Sequence, residues 1–144
     1  MSEGPEGGGR PVPDAAALES LVEAAAAIRP HAYAPYSGFA VGAAVLADGM
    51  VFTGVNVENA SFPIGVCAER NAVAGMVGAG RRRVDAIAVV TDADTPTPPC
   101  GGCRQSLWEF GADAVVVACT LRGARGQWSL AELLPTAFGP RDLG

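Results

Sequence analysis

Two short segments carry side chains whose types and spacing could do chemistry: Cys67-Ala68-Glu69-Arg70 and Pro99-Cys100-Gly101-Gly102-Cys103-Arg104. A Cys-x-x-Cys at the start of a helix sets two thiols on one face, close enough to share a tetrahedral metal. One further thiol from a second helix start makes a three-ligand zinc site. That leaves the fourth position for water, which marks a catalytic rather than a structural centre. Glu69 stands two residues after Cys67, in the first turn of its expected helix, where a carboxylate faces the open position. Plainer readings are a redox Cys-x-x-Cys pair or a structural zinc closed by Cys119. Cys119 ends a buried apolar run, where cysteine behaves as a small hydrophobe, and it is expected outside the metal shell. A first-turn Glu is also explained by the helix dipole alone, but the metal spacing around it argues for proton transfer. His31 is the only histidine and precedes an Ala-Tyr-Ala-Pro-Tyr loop, so an all-cysteine site is expected.

The elements that must position these groups follow from periodicity and punctuation. Asp14 is the expected N-cap of a first helix, with Leu18, Leu21, Val22, Ala25 and Ile28 at helical spacing. Pro30 weakens that helix near its end. Residues 39–46 and 50–57 read as an antiparallel hairpin around Ala47-Asp48-Gly49. An Ala-rich helix spans 67–77, and 84–91 is a nearly continuous apolar strand of the kind buried on both faces. A proline-rich loop over 92–99 leads to a helix over 101–110, then a buried strand over 114–119. Gln127-Trp128 is placed in a short edge strand, and Ser129-Leu130-Ala131-Glu132 has the capping-box pattern of a last short helix. This order implies an α/β fold, a three-layer α-β-α sandwich around a mixed sheet.

Residues 1–13 are Gly- and Pro-rich and are expected to form a disordered tail, leaving 14–144 as one catalytic domain. The chain is 144 residues long, with 49% hydrophobic and 17% charged residues, the balance of a globular protein. It has no apolar run near the ~20 residues that span a bilayer and no signal-peptide core in the tail, so a cytoplasmic location with reduced thiols is expected. Fifteen acids face ten bases, every base is Arg, and the net charge is −5. A nucleic-acid binder needs a positive field. The one basic cluster, Arg81-Arg82-Arg83, reads as a solvated connection after Gly78 and Gly80. No nucleic-acid or membrane partner is expected.

A ligand followed by x-Glu, then Pro-Cys-x-x-Cys, is the signature of zinc nucleobase deaminases, in which the Glu shuttles protons without binding the metal. The chain resembles the homotetrameric zinc-dependent cytidine deaminase family from about residue 32 to residue 142. The resemblance rests on Ala32-Tyr33-Ala34-Pro35-Tyr36-Ser37-Gly38-Phe39, Val41-Gly42-Ala43-Ala44 and Asn56-Val57-Glu58-Asn59-Ala60, together with both cysteine segments. Glu132-Leu133-Leu134-Pro135 and Ala137-Phe138 complete it, all in order and at family spacing. It implies a five-stranded mixed sheet between helices. It also implies hydrolytic deamination of cytidine and deoxycytidine to uridine and deoxyuridine with release of ammonia, a step of pyrimidine salvage.

Residue by residue, the resemblance makes Cys67, Cys100 and Cys103 the Zn²⁺ ligands and Glu69 the catalytic proton shuttle. Asn56 and Glu58 match the residues that hydrogen-bond the ribose hydroxyls, and i, i+2 positions at a strand end share a face. Phe39 matches an aromatic wall of the pocket, the Ala68 N–H matches the group meeting the pyrimidine 2-oxo atom, and Phe138 matches an aromatic given to a neighbouring subunit's site. Arg70 matches the position that hydrogen-bonds the thiolates, returning positive charge to a centre that three thiolates make net negative. Phe62 stands where the family commonly has Tyr, and Pro98 where a small polar residue is usual. Deaminases of cytosine-containing antibiotics such as blasticidin S share the zinc motifs; Asn56-Val57-Glu58-Asn59, a ribose-binding pattern, argues against that reading. A non-catalytic zinc-binding interaction module would have no need of Glu69 beside an open position.

Overall fold

In a computed structural model that describes residues 12–144, the chain folds around one five-stranded mixed sheet. Of the tail expected to be disordered over residues 1–13, residues 1–11 lie outside the described residues. The strands are β1 (Gly42–Ala47), β2 (Met50–Val55), β3 (Ala86–Thr91), β4 (Val115–Thr120) and β5 (Arg125–Ser129), in the order β2-β1-β3-β4-β5. Only β3 and β4 run parallel; the other neighbours are antiparallel. The helices are α1 (Ala15–Ile28), α2 (Ala68–Gly78), α3 (Gly101–Phe110) and the single turn α4 (Leu130–Leu133).

Strand alternation divides the sheet's side chains between two helix layers. Ala44, Ala86, Ala88, Val90, Val117 and Cys119 pack with Leu18, Leu21 and Ala25 of α1. The alternate positions Ala43, Val45, Ile87, Val89 and Val116 pack with Ala72 and Met76 of α2 and with Leu107 and Trp108 of α3. Every residue of β3 is buried, as its unbroken apolar run requires of a strand covered on both faces. Asp14 caps α1 through its carboxylate and the Ala17 N–H at 2.8 Å. Ser129 and Glu132 form the expected capping box on α4.

Two of the boundaries that differ from the sequence reading bear on the site. The first strand starts at Gly42 instead of Phe39, and the second stops at Val55 instead of Val57. Between them the Asn56 side chain takes the place of a ladder partner, donating from Nδ2 to the Phe39 carbonyl and accepting from the Val41 N–H, each at 2.8 Å. Tyr33, Val57 and Val66 make separate backbone bridges beside it. At the hairpin itself, Asp48 and Gly49 both have positive φ, 52° and 79°, the two-residue turn whose twist suits paired strands. Short 3₁₀ turns at Arg29–His31, Phe62–Ile64 and Pro140–Leu143 were not foreseen; each places a proline in the first turn.

Candidate metal centre and catalytic site

The parallel pair β3–β4 needs a crossover, and α3 supplies it. The loop leaving the carboxyl end of β3 therefore delivers Cys100 to the start of α3, and Cys103 follows in its first turn. On the same side of the sheet α2 starts beside it, with Cys67 as its N-cap residue. Cys67 makes no side-chain bond to the amides of its helix, and its sulfur lies with those of Cys100 and Cys103.

The α2 start is held in place by a close approach. A Cβ on Gly54 of β2 would lie 2.5 Å from the Ala68 carbonyl oxygen and 2.5 Å from the Ala72 nitrogen, so only glycine lets the helix rest on the strand there. Asn71 adds a side-chain bond from Nδ2 to the Val55 carbonyl at 2.8 Å.

The sulfurs of Cys67, Cys100 and Cys103 lie within 4.8 Å of one another, and this is the one such group of potential ligands among the described residues. A tetrahedral zinc with Zn–S near 2.3 Å sets its sulfurs roughly 3.8 Å apart, so small rotamer adjustments seat the ion. The donor chemistry fits. Three soft thiolates suit zinc, and the amides of two helix starts bring positive potential to them. Without the cation, burial first, then the neighbouring ionisable groups, push the Cys103 thiol far above its ordinary range. Burial likewise raises Cys67, although a bond with Cys103 opposes it. At Cys100 burial is outweighed by hydrogen bonds from the Cys103 backbone and the Cys103 and Cys67 thiols, and its pKa falls. A divalent cation resolves this crowding by stabilising all three thiolates together.

Glu69 lies in the first turn of α2 and is 6% exposed. Burial is the main influence on its carboxyl and raises its pKa. Its own amide, the Arg70 charge and the Cys103 thiol oppose that rise without cancelling it. A buried carboxyl beside a metal position is equipped to hold and return a proton. Arg70 itself is exposed at the next position of the turn. Cys119 faces α1 from the opposite side of the sheet, which separates it from the three sulfurs.

The residues expected to meet a sugar occupy one loop system. Glu58 accepts from the Tyr36 N–H at 3.0 Å, the Ser37 N–H at 3.1 Å and the Ser37 hydroxyl. The Ser37 hydroxyl bond is the largest influence holding the Glu58 carboxyl below its ordinary pKa. A cavity of about 370 Å³ is lined by Tyr36, Ser37, Glu58, Asn59, Phe62 and Gly65, with the Tyr36 and Phe62 rings edge-on at 5.7 Å. The cysteines are not part of its wall, so the sulfur cluster and this hollow are separate features of the isolated chain. Phe39 is 40% exposed and Phe138 58% exposed, while Ala68 is fully buried at the first position of α2.

Two anchoring residues went unassigned in the sequence reading. Arg104 donates from Nε to the Pro99 carbonyl at 2.7 Å and from Nη1 to the Leu133 carbonyl at 2.9 Å. Gln105 donates from Nε2 to the Phe138 carbonyl at 2.8 Å. Both bond to backbone carbonyls distant in sequence, so no spacing pattern announces them.

The family model for the cytidine and deoxycytidylate deaminase zinc-binding region matches residues 16–119. The chain is similar to the cytidine deaminase of Halalkalibacterium halodurans, 46% identical over 127 residues that cover 87% of this chain and 96% of that one. Similarity to the Mycobacterium tuberculosis cytidine deaminase is 45% over 113 residues, 78% of this chain and 82% of the relative. Among solved structures, the cytidine deaminase of Burkholderia pseudomallei superposes with a TM-score of 0.80 at 48% identity, covering 83% of this chain and 98% of that one. With the cysteine cluster, the buried Glu69 and the mixed sheet in agreement, the chain belongs to the cytidine and deoxycytidylate deaminase zinc-binding family.

Proposed function

We propose that the protein is a zinc-dependent hydrolytic deaminase of cytidine and deoxycytidine, yielding uridine or deoxyuridine and ammonia. The observation that carries this is the buried Glu69 within the first turn that follows a cysteine of the three-sulfur cluster. Cys67, Cys100 and Cys103 would hold zinc, which would supply Lewis-acid activation of a water for attack at ring C4. Glu69 would take one proton from that water and deliver it to ring N3, then take the proton of the new C4 hydroxyl and pass it to the departing amine, which leaves as ammonia. The Ala68 N–H is among the first-turn amides of α2, which have no partner within the helix, and it suits the 2-oxo atom. Asn56 and Glu58 take the sugar hydroxyls, so an analogue without a sugar leaves polar groups unsatisfied.

The site is further read as completed by neighbouring copies in a homotetramer. Supporting this, Tyr33, Val57, Phe62, Ile64 and Phe138 are large apolar side chains left 44–73% exposed on the isolated chain, and exposed apolar surface is what interaction sites offer. No helix among the described residues is long and apolar enough to cross a membrane, and the cysteines there are unpaired. A role in pyrimidine salvage is read from the proposed reaction, which converts one pyrimidine nucleoside into another. Ammonia release from cytidine, deoxycytidine, cytosine and blasticidin S tests the reading directly. Turnover of the two nucleosides is expected; turnover of blasticidin S alone would overturn it.

A further inference from the structure

We infer that Ser37 is a positioning residue: its hydroxyl orients the Glu58 carboxylate toward the sugar and ties that orientation to the backbone of Phe39. The inference rests on the sugar-binding reading of Glu58 given above. An ionised carboxylate offers about four acceptor directions. The Tyr36 and Ser37 backbone amides take two of them, both on Oε1. The Ser37 hydroxyl takes a third, on Oε2. One direction remains, on the oxygen that the hydroxyl holds, and Ser37 and Glu58 together line the cavity of about 370 Å³.

The same hydroxyl oxygen accepts from the Phe39 N–H at 3.0 Å. Gly38, at φ +69°, makes that return possible, and its N–H closes the turn on the Ala34 carbonyl at 2.9 Å. A single hydroxyl therefore links the sugar anchor to the residue expected to wall the base. The two backbone bonds to Oε1 persist without it, so the loop stays closed while the carboxylate loses its fixed rotation. Binding of the sugar should suffer, and proton transfer at Glu69 should not.

The test compares Ser37→Ala, Ser37→Thr, Glu58→Ala and the Ser37→Ala/Glu58→Ala pair as zinc-loaded enzymes, with cytidine and free cytosine as substrates. Ser37→Ala is expected to raise the cytidine KM about tenfold with kcat within about twofold, the loss of binding shared by ground and transition state. Ser37→Thr, which keeps the hydroxyl, should restore the parent KM, and the effect of Ser37→Ala should disappear with free cytosine, which has no sugar to bind. In the pair, the Ser37 change should add little to Glu58→Ala, because one residue acts through the other. A parental KM in Ser37→Ala, or full additivity in the pair, overturns the positioning role while leaving the sugar reading intact. A parental cytidine KM in Glu58→Ala overturns both. Should Ser37→Ala fail to fold, Ser37→Cys keeps the volume with only a weak donor and reads the same KM.

Discussion

In the proposed site, Glu69 and the three clustered sulfurs would divide the labour: the sulfurs would hold a cation, and the carboxyl would carry a proton. Replacing Glu69 with Gln keeps its size and removes its basicity. Zinc content, measured by atomic absorption, should stay near one per chain while kcat falls by at least ~10²–10⁴-fold, the usual worth of a positioned acid–base group. A variant retaining most of its rate would falsify the shuttle assignment. The cysteines separate in the same way. Cys100→Ala removes one of three converging sulfurs and should abolish zinc and activity together. Cys119→Ala, on the α1 face of the sheet, should leave both in place and lower stability by about 1–3 kcal/mol as a small core truncation. Equal zinc loss in the two variants would make Cys119 a ligand.

At the scale of elements, the site depends on where two helices begin. Helix α2 is seated on β2 through Gly54, and no side chain fits between that strand and the helix backbone. Gly54→Ala should therefore push the α2 start, with Cys67 and Glu69 on it, away from α3. Overpacking of this kind costs about 1–3 kcal/mol, and kcat/KM should fall out of proportion to the drop in Tm. An unchanged kcat/KM would show that the seat does not set the catalytic geometry. Helix α3 is anchored through Arg104, whose guanidinium bridges the Pro99 carbonyl beside Cys100 and the Leu133 carbonyl at the end of α4. Arg104→Lys keeps the charge and loses the planar fork. It should release zinc to a chelator faster than the parent, with little change in far-UV dichroism; parental release kinetics would assign Arg104 to folding alone.

For the whole molecule, the deciding question is whether one chain can finish its own site. Phe138 is 58% exposed, yet its carbonyl is pinned by Gln105 and the following Gly139 packs against the Trp108 ring, where a Cβ would come within 2.5 Å. The segment is thus fixed by its backbone while its aromatic ring is left uncovered. In a closed assembly that ring would cover a neighbour's pyrimidine. Phe138→Ala should raise KM and lower kcat/KM with zinc content unchanged, and light scattering should give about four times the mass of the chain. A fully active monomer would exclude the shared site.

The cysteine spacing, the x-Glu step and the proline–cysteine junction were legible in the chain because metal ligation and helix starts are local demands. The apolar run that buries β3 on both faces, the caps at Asp14 and Ser129, and the edge strand around Trp128 were legible for the same reason. What only the tertiary structure decided are the bonds made to backbone from far away. The strand ends at Val55 because the Asn56 amide, not a neighbouring strand, occupies the Phe39 and Val41 backbone. Arg104 and Gln105 find carbonyls 29 and 33 residues distant, and Ser37 reaches Glu58 across 21. A carbonyl looks alike at every position of a sequence, so which one a side chain will meet is settled only when the chain has closed around it.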